Sequence, residues 1–275
     1  MSALRLVEHR VLVPGRFDRG GLFLSASGLG ALVYALTSGP SVGWFAPSIA
    51  IPLIAGVALC IALVVVELRV REPMLRLDLL RIAAFRRAVV CTLLGTATFQ
   101  GTLFLAPLTL QVLLGWSAIQ SGLATCPEAL GVMLGAQVVS RAFARVGARR
   151  LTIAGFAGMA TVVTLLAVQS DDANAAAFCA LMLAAGMGQA HVQVTNQAVA
   201  FAQVSEADVG RASSLHNAGR RLGAVVGVAT LSAALGALGS SGAADAHAFR
   251  DAFLIAAGFA VIGLAVVARA LPQSR

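Results

Sequence analysis

The sequence predicts an all-α membrane protein with eight transmembrane helices. Of its 275 residues, 59% are hydrophobic and only 12% are charged, whereas soluble chains carry roughly 25% charged residues. Long apolar stretches recur along the chain, and a bilayer core about 30 Å thick needs roughly 20 such residues per helical crossing. The 20 basic residues are all arginine and fall almost entirely in alternate loops, which is typical of a polytopic membrane protein.

Eight apolar stretches are the predicted crossings. They cover residues 20–38, 47–67, 87–112, 118–140, 151–169, 174–201, 212–238 and 251–271. Residues 68–86 form a polar cytoplasmic segment in which Pro73 breaks any continuous helix, and the leucines after it predict a short amphipathic helix at the interface. This segment separates a two-span unit, 20–67, from a six-span bundle, 87–271. Residues 1–19 and 272–275 are the terminal segments.

The arginine distribution predicts the orientation of the chain. Arginines cluster before the first span, between the second and third, and between the fourth and fifth, and more lie at or beyond the end of the eighth. The intervening loops hold only Arg250. Cytoplasmic loops retain arginine because its translocation is unfavourable. Both termini are therefore predicted to be cytoplasmic, in a bacterial-type inner membrane.

The composition argues against several other classes. The net charge of +8 is spread over short loops, with no basic run interleaved with aromatic residues, so it indicates contact with the lipid bilayer rather than nucleic acid. The four cysteines fall in apolar spans without metal-ligand spacing. The sequence predicts neither metal nor cofactor. A membrane-embedded enzyme is least favoured, because paired acids and an activated nucleophile are not evident.

Glu128 is the one acidic residue well inside a predicted span, and it follows Pro127. Ionisable residues at a helix centre cost about 2.5–3.5 kcal/mol on insertion scales and generally mark functional positions. Glu128 is thus a candidate for proton coupling. The alternative is a protonated or cavity-facing carboxyl without a role in transport.

Polar residues form a stripe on the sixth predicted span. Their directions fall within one arc of roughly 100°, and they are Gln189, Gln193, Asn196 and Gln197. Such a stripe either lines a water-filled cavity or bonds across to other helices. Gln100 in the third span has the same two interpretations.

Small residues recur at four-residue spacing in two spans. Gly219, Gly223 and Gly227 lie in the seventh, and Gly131 and Gly135 lie in the fourth. This spacing lets helix backbones approach closely. It fits both permanent packing and a helix that slides or rocks.

Arg220 and Arg221 lie about two turns into the seventh predicted span. One interpretation is that they snorkel to the interface. The other pairs Arg220 with Asn217 at a cytoplasmic gate.

The run from Gly210 to Gly223, continuing to Gly227, resembles the penultimate-helix signature of fourteen-span drug:proton antiporters of the major facilitator superfamily. Shorter matches to that family occur in the expected order along the chain. They are Phe17-Asp18, Gly43-Trp44, Glu72-Pro73-Met74 and Arg145-Val146-Gly147-Ala148-Arg149-Arg150.

The resemblance implies that the eight spans correspond to the seventh to fourteenth helices of that family, without the N-terminal bundle. It implies the C-terminal part of a proton-coupled multidrug or small-molecule exporter with amphipathic or cationic cargo, working by alternating access. The partner would be an N-terminal half-transporter or a second copy of the chain. The candidates for a cytoplasmic gate are Arg145, Gly147, Arg149, Arg150, Asn217 and Arg220.

Two positions depart from the family pattern. Ala144 replaces an acid in the basic loop, so no charge clamp to that acid can form. Glu128 replaces a glycine, so its candidate role rests on its position in the membrane alone. A truncated, non-transporting remnant of such an exporter is the alternative interpretation of the whole chain.

Overall fold

The computed structural model describes residues 46–67, 77–169, 174–202, 204–238 and 246–269, with scattered positions between 23 and 43. Every regular element in these ranges is helical. The α-helices are α1 (Pro47–Glu67), α2 (Ala83–Val112), α3 (Ala118–Thr125), α4 (Pro127–Val146), α5 (Ala148–Val168), α6 (Ala175–Phe201), α7 (Val209–Leu238) and α8 (Ala246–Ala268). Short 3-10 helices, Leu77–Arg81 and Glu206–Asp208, precede α2 and α7.

Several predictions fall outside the described residues. These are the segments 1–19 and 272–275, most of the first crossing at 20–38, Trp44, and the segment 68–76 with Glu72-Pro73-Met74.

Five helical segments of the described chain are long and apolar enough to cross a bilayer. They are Ala83–Val112, Ala118–Val146, Ala148–Val168, Ala175–Phe201 and Ala246–Ala268. Helix α7 is not among them, and its N-terminal half carries Arg211, Arg220 and Arg221. The chain is therefore a helical protein with several membrane spans, and the number eight stays a prediction.

The fourth predicted crossing consists of two helices, α3 and α4, which meet at Cys126, a residue in helical conformation. Helix α3 begins with a capping box in which the side chain of Ser117 accepts from the backbone of Gln120 while the Gln120 side chain accepts from the backbone of Ser117. Helix α3 ends at Thr125, and α4 begins at Pro127, because proline has no backbone donor and is well suited to a first helical position. Helix α4 then runs six residues past the predicted limit, to Val146. It stops at Gly147, whose φ of 82° is readily adopted only by glycine.

The segment predicted to form an interfacial helix is described only in part. Its described part is the 3-10 helix Leu77–Arg81. Leu79 is buried among residues of α2, α6 and α7, including Phe85 and Ala200. The exposed side chains of Asp78 and Arg81 form an ion pair of 3.6 Å. The described part therefore packs against the end of the bundle, and its position at the membrane interface stays a prediction.

Helices α2 and α6 are central to the bundle. Helix α2 packs on α6, α7 and α8, while α6 also contacts α4 and α5, and α5 contacts α8. Helices α2, α5 and α7 begin at the end of the bundle where α4, α6 and α8 finish. We call this the arginine end, because arginines concentrate there. They include Arg86, Arg87, Arg145, Arg149, Arg150 and Arg211.

Glycines set the separation between α2 and α7. A β-carbon on Gly219 would lie 2.8 Å from a methyl of Val89. One on Gly223 would overlap the carbonyl of Leu93, and one on Gly227 would overlap the carbonyl of Ala97. The three glycines of α7 thus face residues spaced by four along α2, and the two backbones are in direct contact.

The crossing of α4 and α6 is built in the same way, with glycines on both helices. A β-carbon on Gly131 would overlap the carbonyl of Leu183, and one on Gly135 would lie 2.9 Å from the Cα of Met187. On α6, a β-carbon on Gly186 would overlap the carbonyl of Glu128 on α4. Glu128 therefore lies at the closest approach of these helices.

We predict that Gly223→Ala destabilises the bundle, because the added methyl forces α7 away from the backbone of α2. Overpacking of a tight contact costs about 1–3 kcal/mol. Gly258→Ala on α8 is the matched control, since a β-carbon there meets nothing within 4 Å. Thermal melting of the purified variants in detergent measures the difference. Equal melting temperatures would show that the contact between α2 and α7 accommodates the added methyl group.

Candidate functional site

Glu128 lies in the first turn of α4, where the span is interrupted. Its side chain is buried, with 7% of its surface exposed. Among the described residues, no basic group makes an ion pair with its carboxyl group. The sequence placed an acid inside a span, and the structure places that acid in the interior, beside Gly186 of α6.

The polar residues of the predicted stripe on α6 differ in how deeply they are buried. Gln189 and Asn196 are buried, Gln193 is half-buried, and Gln197 is exposed. The Nε2 of Gln189 donates to the Oε1 of Gln193 over 3.3 Å. The Oε1 of Gln189 is buried and has no hydrogen-bond partner within the described ranges.

Gln189 is directed towards α2 rather than into an open cavity. A β-carbon built on Gly95 of α2 would lie 3.7 Å from the Oε1 of Gln189, an ordinary van der Waals distance, but only 2.6 Å from a methyl of Val192, so the missing side chain at Gly95 makes room for Val192. Gln100, also on α2, is half-buried. Gln189 therefore contacts α2, while its side-chain hydrogen bond is to Gln193 on its own helix, and both interpretations of the stripe stay predictions.

A cleft of about 400 Å³ opens at the arginine end, between α2, α5, α6 and α8. Its lining combines cationic, polar and apolar side chains: Arg87, Arg149, Arg150, Thr152, Asn196, Val199, Val266 and Val267, with Gly147 and Ala148 contributing backbone. It therefore brings three of the six gate candidates, Gly147, Arg149 and Arg150, together with Asn196 from the stripe. Arg145, Asn217 and Arg220 are not among its lining residues.

The remaining gate candidates lie on or near the surface. Asn217 is exposed and its Nδ2 donates to the Oγ of Ser213 over 3.4 Å. Arg220 is half-buried, and no hydrogen bond joins it to Asn217 among the described residues. One residue before Asn217, His216 is buried against the ring of Phe201, with ring centroids 5.9 Å apart. The structure thus separates the α7 candidates from the cleft.

Two residues of the cleft had no assigned role in the sequence. Thr152 is buried, and its hydroxyl lies 2.8 Å from that of Thr195 on α6. Arg87 appeared only as one of the arginines that indicate topology. Its Nε donates to the carbonyl of Ala83. Neither residue belongs to a local motif, because the cleft is assembled from four helices that are distant in sequence.

Across the described ranges, no group of three His, Cys, Asp or Glu residues could hold a metal ion.

Long apolar helices, a buried acid and polar side chains inside the bundle define a multi-pass protein of the transporter class. A family model described as the Major Facilitator Superfamily matches residues 88–275. The chain belongs to this superfamily of membrane transporters.

Individual relatives include transporters and resistance proteins. The chain is 26% identical over 277 residues to the uncharacterised MFS-type transporter YcnB of Bacillus subtilis, covering 96% of this chain and 57% of the relative. It is 30% identical over 224 residues to the multidrug resistance protein Stp of Mycobacterium tuberculosis, covering 81% of this chain and 41% of the relative. A methylenomycin A resistance protein of Bacillus subtilis is 32% identical over 114 residues, 40% of this chain and 24% of the relative. The chain spans about half the length of the first two.

We predict that the arginine end faces the cytoplasm. Ala118 and Ala144 are exposed and lie near opposite ends of the segment Ala118–Val146, about 39 Å apart at 1.5 Å per residue. In a background in which the four native cysteines are replaced by serine, Ala144→Cys should react with a membrane-impermeant maleimide only from the cytoplasmic side. Ala118→Cys should react only from the opposite side. The inverse pattern would refute the orientation.

Proposed function

We propose that the chain forms the C-terminal helices of a fourteen-span, proton-coupled exporter of small amphipathic or cationic molecules. The observation that carries this proposal is the buried carboxyl of Glu128 at the glycine-lined crossing of α4 and α6.

The depth of Glu128 in the membrane supports a coupling role. It lies ten residues from Ala118, the start of its span, and so about 15 Å along the axis, near the middle of a bilayer core about 30 Å thick. Gln189 is also central in α6, three residues beyond Gly186. Coupling-ion and substrate sites of secondary transporters generally lie near this depth.

The interruption of the span at Pro127 fits the same role. Transporters commonly build ion and substrate sites from broken helices, where backbone groups are released from the regular hydrogen-bond pattern. Here the break lies immediately before the acid, and Cys126 joins the two helices in a helical conformation. A proton carried by Glu128 would therefore bind at a point where α3 and α4 can change their relative angle.

Alternating access requires a second bundle for this one to move against. Helix α4 exposes a row of large apolar side chains, Leu130, Met133, Leu134 and Val138, each more than 40% exposed. An N-terminal six-helix bundle, on the same longer polypeptide or on a separate one, would cover part of the bundle surface and complete the pathway. The proposed cargo class is supported by the resistance proteins among the relatives, which include a multidrug resistance protein and a methylenomycin A resistance protein.

We predict that Glu128→Gln abolishes proton-driven efflux. Glutamine has nearly the same shape as glutamic acid but cannot bind and release a proton. The assay measures ethidium uptake into inverted vesicles, which corresponds to efflux from the cell, driven by an imposed pH gradient, with the chain produced together with its N-terminal bundle. Efflux by the variant should fall to near background and lose its dependence on external pH.

Glu206→Gln is the control, because Glu206 is an exposed acid in the short 3-10 helix before α7. It should leave both the rate and the pH dependence unchanged. An unaltered pH profile in Glu128→Gln would remove Glu128 as the coupling group. Absence of efflux by the unaltered chain with its N-terminal bundle would refute the proposal that the chain is part of an exporter.

A further inference from the structure

We infer that the cleft at the arginine end is a binding site for a phosphate-bearing anion, and that its occupant is the headgroup of an anionic phospholipid. This inference concerns the cleft and does not depend on Glu128 or on transport.

The charge of the cleft is not balanced by the protein around it. Arg87, Arg149 and Arg150 line it, and its lining contains no acid. Within the described ranges, the ion pairs are made by Arg81, Arg211 and Arg250, so none of the three cleft arginines is neutralised there. Arg149 donates one bond of 2.8 Å to the carbonyl of Ala268. A guanidinium has five donors, so Arg149 keeps others for a ligand.

The start of α5 adds a second source of positive potential. Gly147 precedes α5, and no side chain caps this helix end. The first backbone N–H groups of a helix have no partner within it and form a favourable site for anions. Arg149 and Arg150 lie in the same first turn, although cations are normally disfavoured at the positive end of a helix. A bound anion would satisfy both the backbone donors and the two arginines.

An independent observation comes from α6. Asn196 borders the cleft with 5% of its surface exposed, and its Nδ2 is buried without a hydrogen-bond partner among the described residues. A buried donor left without a partner costs about 1–3 kcal/mol. An acceptor oxygen of a ligand beside Asn196 would satisfy this donor once the amide turns towards the cleft. The charge, the helix end and the unpaired amide therefore all favour the same chemistry, a ligand rich in acceptor oxygens.

The walls of the cleft distinguish a lipid from a free anion. Val199, Val266 and Val267 line it beside the arginines, so cationic and apolar surfaces occur in one cavity. A free phosphate would leave the apolar part in contact with water. A phospholipid fills both parts, with its phosphate at the arginines and its glycerol and upper acyl chain against the valines. Basic pockets between transmembrane helices commonly hold anionic headgroups in this way.

The test uses the purified full chain in nanodiscs of phosphatidylcholine. Dioctanoyl-phosphatidylglycerol is titrated as the probe, with dioctanoyl-phosphatidylcholine and inorganic phosphate as separate arms, and bound ligand is counted by native mass spectrometry. We expect saturable binding of one phosphatidylglycerol. Its apparent Kd should rise about tenfold or more when Arg149→Gln and Arg150→Gln are combined, because two surface charges are lost.

Arg141→Gln combined with Arg145→Gln is the matched control. It removes the same charge from the same end of the bundle, but neither residue lines the cleft. It should leave the apparent Kd within about twofold, whereas Asn196→Leu should weaken binding without any change in charge. Elution as a single species and an unchanged circular dichroism spectrum verify that each variant is folded.

Equal weakening in the control pair would overturn the inference, because binding would then reflect overall charge. Equal binding of phosphatidylcholine would also overturn it. Saturable binding of inorganic phosphate with no binding of phosphatidylglycerol would assign the cleft to a free anion and refute the lipid.

Discussion

The glycine-mediated contact between α4 and α6 is the constraint on which the interior of this bundle depends. Helices in lipid gain little from burying apolar side chains against each other, so close packing has to hold them together. Gly131 and Gly135 of α4 and Gly186 of α6 allow the two backbones to touch. A side chain at Gly186 would displace the carbonyl of Glu128. The position of the buried acid is therefore set by the absence of a side chain on its neighbour.

The same principle applies to the other contacts of α2. The contact of α2 with α7 leaves no space for side chains at Gly223 or Gly227, and Gly95 of α2 accommodates the side chain of Val192 on α6. The Oε1 of Gln189 lies beside this contact, 3.7 Å from the β-carbon that Gly95 lacks. The stripe on α6 is divided, with Gln189 beside α2, Asn196 at the cleft and Gln197 exposed.

The sequence predicted the helical class, the superfamily and most of the helix positions, because apolar length and glycine spacing are local signals. It did not predict which face of each helix turns inwards. In a soluble helix an apolar stripe marks the core, but here the lipid-facing side is as apolar as the interior. Leu130 and Met133 of α4 are exposed while Gly131 between them is buried. The cleft had no local signal either, since Arg87, Arg149 and Asn196 meet only when three separate helices pack.

The cleft shows that arginines placed by membrane insertion can have a second consequence after folding. The predicted retention on the cytoplasmic side accounts for the arginines at the junction of α4 and α5, but it makes no distinction between Arg141, Arg145, Arg149 and Arg150. Packing does make that distinction, because only the last two lie in the first turn of α5 and line the cleft. There their charges add to the positive end of the helix instead of opposing it. The repulsion between these arginines and the positive end of α5 is not offset by membrane topology. An anion shared by the arginines, the free backbone donors and Asn196 would offset it.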